Sequence, residues 1–188
     1  MISWDAPYNG GSDITSYQIF IGESDESTFT YESSMCDGSD ASIVSSRSCL
    51  IPNIQFTYAP FSLSWGDDVY AKIVATNIKG NSAVSDSATG SRILKVPDAP
   101  INLLDDPSVT VSSQIKFSWS EGSGNGGSPV IDYKISFSES GGVYQTLETG
   151  ITDTFYIAQS LTAGLVYGFK VQARNTFGYS LLSEEVLI

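Results

Sequence analysis

The phrase Asn-Gly-Gly-Ser at residues 9–12 returns at residues 125–128, and each copy runs on to a tyrosine, Tyr17 and Tyr133, at the same offset of 116. A chain of 188 residues that writes one phrase twice at that distance is read as two similar units of about 90 residues each. That size lies within the usual range of a folding domain. After the glycines, Tyr17, Ile19 and Ile21 correspond to Tyr133, Ile135 and Phe137, while Gln18 and Lys134 fall between them. Alternation of this period marks a strand with one buried face.

The correspondence extends in both directions. Upstream, Ile2-Ser3-Trp4 matches Phe117-Ser118-Trp119, with Ile115, Phe117 and Trp119 expected inward and Lys116 and Ser118 outward. Downstream, VYAKIVATN at residues 69–77 lies over YGFKVQARN at residues 167–175. Gly80 and Gly178 follow, and then a Ser-containing strand in each copy. The offset has dropped from 116 to 98, so the first copy holds about 18 extra residues. They fall around residues 36–49, a Ser/Asp/Gly-rich stretch read as an inserted loop.

Short aromatic and β-branched runs between Gly, Ser and Asp clusters give an all-β fold class. No run at helical period is long enough to predict a helix. The boundary is placed at Val96-Pro97-Asp98-Ala99-Pro100, because two prolines in four residues favour a stiff extended link. The expected domains are residues 1–96 and 97–188, placed end to end.

Taken together and in order, these residues resemble fibronectin type III modules. The elements are the tryptophan of the second strand, N-G-G-S-x-[VI]-x-x-Y opening the third, and Y-x-F-x-V-x-A-x-N-x-x-G in the sixth. The resemblance implies two tandem immunoglobulin-like antiparallel β-sandwiches, with Trp4, Tyr17, Gly80, Trp119, Tyr133, Tyr167 and Gly178 as signature residues. Residues 97–188 match across their whole length, and Leu161-Thr162-Ala163-Gly164 is similar to the family's approach to a tyrosine corner. There the Tyr167 hydroxyl is expected to bond back to upstream backbone. The first copy departs from the pattern. Val69 occupies the register of Tyr167, Tyr70 comes one residue later, and Trp65-Gly66 stands where the corner would be. The family's first strand is missing before Ile2, and with the Cys-bearing insert this copy is similar to divergent repeats of very long protist surface proteins.

Cys36 and Cys49 are the only cysteines and bracket the insert. A disulfide between them would close the loop and stabilise by about 3 kcal/mol on the chain-entropy model, and would place the chain in an oxidising, extracellular compartment. The alternative is a pair of reduced thiols in an intracellular protein. The chain contains no histidine. That excludes Ser-His and Cys-His nucleophile pairs and His-ligated metals. Adjacent acids such as Asp67-Asp68 and Glu184-Glu185 point to opposite faces of a strand and make no acid/base dyad. No enzyme and no cofactor are expected. Calcium is disfavoured, since Asp98, Asp105 and Asp106 lack EF-hand-like spacing. The Gly-Gly pairs lead into strands and match no phosphate-binding pattern.

The net charge is −12, with eleven acids against five bases in residues 1–96 and ten against four in the rest. Acidity shared by both copies disfavours nucleic acid and anionic membrane surfaces, and no apolar run spans a bilayer.

What remains is protein contact. The resemblance puts residues 124–128 beside Phe177 and Tyr179 at one end of the second module, and Tyr8 beside Lys79 and Asn81 in the first. These are the candidate binding loops. The edge at residues 1–6, lacking a first strand, is a candidate site of self-association by strand complementation, or else the boundary of an excerpt. The expected function is a non-catalytic structural or adhesive module pair of a larger extracellular or cell-surface protein, with a fibre subunit as one form. The alternatives are a receptor-like ectodomain that binds through its end loops and elbow, accessory modules of an extracellular enzyme, and an intracellular filament protein.

Overall fold

The computed structural model describes all 188 residues. The chain is all-β and divides into two compact units, Met1–Ile93 and Leu94–Ile188. Each is an immunoglobulin-like antiparallel sandwich with its own core. No helix is long and apolar enough to cross a membrane.

The first unit contains β1 (Ile2–Ser3), β2 (Ile14–Gly22), β3 (Phe29–Tyr31), the helix α1 (Ala41–Ser46), β4 (Ser48–Cys49), β5 (Asp68–Asn77), β6 (Gly80–Asn81) and β7 (Ala88–Arg92). One sheet is the pair β1-β4; the other runs β3-β2-β5-β6, with β7 also on β5. Tyr17, Ile19 and Ile21 on β2 are buried, as the alternation demands. Trp4 meets Tyr17 edge-on at 5.2 Å between centroids. Ile51, Phe56, Phe61, Leu63 and Ile93 complete this core.

The insert is not the plain loop that its composition predicts. It contains α1, a single short helix whose N-cap is Asp40, accepting from the Ser42 N–H at 2.7 Å. The chain turns out at Arg47 with φ 52°. A Ser-Asp pair ahead of Ala-Ser-Ile-Val is a capping signal, but six residues leave too little period to find. Cys36 and Cys49 are bonded, with S–S 2.07 Å. Between them Gly38 lies against β2, where its carbonyl accepts from the Tyr17 N–H at 2.9 Å. A Cβ on Gly38 would stand 1.9 Å from the Tyr17 carbonyl oxygen, so only glycine permits the approach. The insert thereby covers a stretch of the β2 edge that would otherwise be bare.

The second unit contains β8 (Ile101–Asp105), β9 (Gln114–Ser120), β10 (Asp132–Glu139), β11 (Gln145–Ile151), β12 (Phe155–Gln159), β13 (Tyr167–Arg174) and β14 (Val186–Leu187). The sheets run β12-β9-β8 and β11-β10-β13-β14. Ile115, Phe117 and Trp119 of β9 are buried against Tyr133 and Ile135 of β10 and Tyr167, Phe169 and Val171 of β13. Trp119 meets Tyr133 edge-on at 5.2 Å, the same contact as in the first unit. Residues 94–96 fall with the second unit, a little ahead of the sequence boundary. The Lys95 N–H donates to the Gly126 carbonyl at 3.0 Å, which fastens the link to this unit.

Candidate binding loops and the open edge of the first unit

Both Asn-Gly-Gly-Ser phrases form the same turn. The Asn9 side chain accepts from the Gly11 N–H at 2.9 Å, and Asn125 accepts from the Gly127 N–H at 3.0 Å. The glycines sit at positive φ, 65° and 83° in one copy and 72° and 85° in the other, where a side chain is strained.

A second asparagine holds each turn to the loop after the long central strand. Asn77 donates its amide to the carbonyls of Asn9 at 2.8 Å and Ser12 at 3.3 Å, and accepts from the Lys79 N–H at 2.8 Å. Asn175 donates to the carbonyls of Lys95 and Asn125, both at 2.8 Å. It accepts from the N–H groups of Phe177 at 2.8 Å and Gly178 at 3.1 Å. Ser128 and Thr176 hydroxyls bond at 2.8 Å beside it. Both asparagines lie within the repeated pattern, and their equal distance from the following glycine is the one sequence signal of a shared role. A serine pair, which no local sequence signal marks, also recurs in both units. Ser82 and Ser85 accept from the N–H groups of Ala75 and Ile73, and Ser180 and Ser183 from those of Ala173 and Val171, each near 3 Å. They continue the ladder where the last strand leaves its neighbour.

Phe177 stands on this clamped loop 58% exposed. Tyr179 is only half exposed, with Lys134 Nζ 4.6 Å from its ring centroid and the Arg174 guanidinium at 5.3 Å. Arg174 is in turn bound through both arms by the buried Asp132 carboxylate, which raises the arginine's pKa. Tyr179 is thus a ring braced by two cations of neighbouring strands. In the first unit Tyr8 is 92% exposed, and Tyr8, Lys79 and Asn81 line one shallow cavity of about 210 Å³.

The Tyr167 hydroxyl accepts from the Thr162 N–H at 2.9 Å, closing a corner. In the first unit Val69 and Trp65 pack on the core instead. Tyr133 donates to Glu121 at 3.1 Å; burial first, then the Glu121 charge, pushes its pKa up to about 12.

The junction acids each have a partner. Asp98 takes Lys95 at 3.1 Å and Ser123 at 2.9 Å, Asp105 takes Thr110 at 2.5 Å, and Asp106 takes Lys116 at 2.9 Å. Hydrogen bonds from Ser123 to Asp98 and from Ser108 to Asp106, chiefly, hold both below the usual carboxylate pKa.

β1 pairs with β4 within the chain, Ile2 opposite Cys49 and Ser3 opposite Ser48, and the Trp4 N–H reaches the Arg47 carbonyl at 3.0 Å. Its other edge carries no strand. Beside that edge lies a groove of about 770 Å³.

Residues 99–188 match the family model of the fibronectin type III domain. The second unit is a fibronectin type III domain. The first unit repeats its Trp–Tyr contact, asparagine clamp and serine pair, and a tandem of two such domains is consistent with all of these. The whole chain aligns with Protein sidekick of Drosophila melanogaster at 25% identity over 192 residues, which is 8% of that protein. A solved structure of domains A168-A170 from titin matches 69% of this chain and 43% of its own at 23% identity, with a TM-score of 0.51, a likeness of fold. The chain therefore spans less than half the length of either.

Proposed function

We propose that this fibronectin type III pair is a non-catalytic structural and adhesive module of a larger extracellular or cell-surface protein. The observation that carries the reading is the loop end found in both units. An asparagine ties two loops together there, and an apolar residue stands out from them, Tyr8 and Ile78 in one unit and Phe177 in the other. A fixed loop presenting an exposed ring costs little ordering entropy on contact, which suits recognition of a protein surface. The Cys36–Cys49 bond supports an oxidising compartment.

Two measurements test this. Intact mass after alkylation without reductant, on protein isolated from its native source, is expected to show no free thiol; two free thiols would remove the extracellular reading. Beads coated with the chain are expected to cluster, and Tyr8→Ala with Phe177→Ala to abolish clustering. Beads that stay dispersed would leave only a spacer role. The braced Tyr179 beside Phe177 favours a second reading, a receptor-like ectodomain whose end loops take a protein ligand. There Phe177→Ala and Tyr179→Ala would abolish ligand capture with clustering unaffected.

A further inference from the structure

Five basic residues fall in the second unit, and three of them are paired with acids: Lys95 with Asp98, Lys116 with Asp106 and Arg174 with Asp132. The other two, Lys134 and Lys170, make no ion pair, in a chain of 21 acids against nine bases. Both stand on one face of one sheet. Lys134 lies on β10 between the buried Tyr133 and Ile135, and Lys170 on β13 between the buried Phe169 and Val171, so each points outward.

The ladder sets that face out in rows. Asp132 lies opposite Arg174, Lys134 opposite Gln172 and Ser136 opposite Lys170, and Thr149 and Thr146 of β11 extend the second and third rows. Residues directly opposite share a side of the sheet, so three successive rows carry one cation each. The two rows with unpaired lysines carry no acid. Asp132, held by Arg174, bounds them at one end. At the other stands Glu185, which accepts from the Tyr144 hydroxyl over Gly168. Glu148 of β11 lies opposite the inward Ile135 and acts on Tyr156 of the other sheet.

The two lysines are also braced. Lys134 Nζ lies 4.6 Å from the ring centroid of Tyr179, and Lys170 Nζ 4.6 Å from that of Tyr144. A ring beneath an ammonium group restrains it, so less side-chain entropy is lost when an anion arrives. The first unit has no such face. Gln18, Phe20 and Tyr31 stand where Lys134, Ser136 and Thr146 do, and only Lys72, over Phe29, corresponds to Lys170.

Row spacing points to the occupant. Alternate residues of a strand recur about every 6.8 Å. An extended polypeptide laid along β10 and β13 repeats its own side chains at that distance, so acids at every second residue would meet the three cations in turn. We propose that the outward face of β11-β10-β13 binds an extended acidic segment of a partner protein, with carboxylates at alternate residues. Lys134 and Lys170 take two successive carboxylates, and Arg174, whose Nε and Nη2 hold Asp132, offers its remaining nitrogen to a third. Tyr8 and Phe177 take no part, so this surface and the clustering proposed above can fail separately.

The probe is a fluorescent peptide of four Glu-Ser repeats, titrated against the full chain by anisotropy. Saturable one-to-one binding is expected, weaker as salt rises, with amide shifts centred on Lys134, Gln172 and Thr149. Lys134→Gln with Lys170→Gln is expected to weaken it about tenfold. Lys134→Arg with Lys170→Arg should retain it, which separates charge from fold, and Lys72→Gln should leave it unchanged. A peptide of the same composition with its glutamates consecutive is expected to bind less tightly. No saturable binding, an equal loss from Lys72→Gln, or equal affinity for the consecutive peptide would overturn the proposal. Failure of the peptide beside binding of dextran sulfate that the glutamine variant loses would also overturn it and give the face to a sulfated polysaccharide. So would a doubled sedimentation mass that the glutamine variant abolishes, since a second copy would then own the face.

Discussion

Asn175 is 2% exposed, and its side chain joins segments 50 and 80 residues away in sequence. Replacing it with alanine leaves two carbonyls and two N–H groups without their partner in a place water reaches poorly. Asn175→Ala is expected to destabilise the second unit by about 1–3 kcal/mol, read as a lower urea midpoint at unchanged slope. Tyr167→Phe removes one bond, to the Thr162 N–H, and about 1 kcal/mol is expected. Tyr133 makes a pH-dependent case. A phenol in an unfolded chain titrates near pH 10, whereas here burial and Glu121 push it up to about 12. Between those values the unfolded state loses its proton first, so stability is full below about pH 10 and falls as pH rises toward 12. Urea midpoints of the second unit measured from pH 9 to 12 are expected to decline, and Tyr133→Phe to flatten the decline. An equal slope in the variant would assign it to other groups.

Strands were legible wherever one face is buried. The alternation of Tyr17, Ile19 and Ile21 and of Ile115, Phe117 and Trp119 announced β2 and β9, because a strand between core and solvent must alternate. The Gly-Gly pairs were legible as turns because glycine is the residue that takes positive φ without strain. Three things were not. The helix α1 is too short to show a period, and Asp40 is one polar residue among many in its stretch. The asparagine clamp joins segments far apart in sequence, so nothing local to Asn77 or Asn175 reveals its partners. The bracing of Tyr179 needs Lys134 and Arg174 from two other strands. The insert also makes a prediction of its own. The Cys36–Cys49 bond closes a short loop that holds β4 and the Gly38 contact on β2. Reduction, or replacement of both cysteines by serine, is expected to cost the first unit about 3 kcal/mol. It should also speed amide exchange at Tyr17, whose N–H is held by Gly38. Unchanged exchange there would mean that the contact stands without the bond.

Across the molecule, the two cores have no member in common, and each brings its own device for closing the sheet. In the second unit that device is the Tyr167 corner. In the first, Val69 and Trp65 pack where a corner would stand, and the disulfide supplies the cross-link. A perturbation of one device acts first on the core it belongs to. Heating the intact chain in a calorimeter, with and without reductant, is expected to lower one unfolding transition while Tyr167→Phe lowers another. For a domain of this size about 1 kcal/mol corresponds to a shift of roughly 4–8 °C, so the corner's loss is large enough to separate from the reductant's. If both perturbations moved a single common transition, the units would unfold as one body, and the division into separately held sandwiches would fail as a description of their energetics.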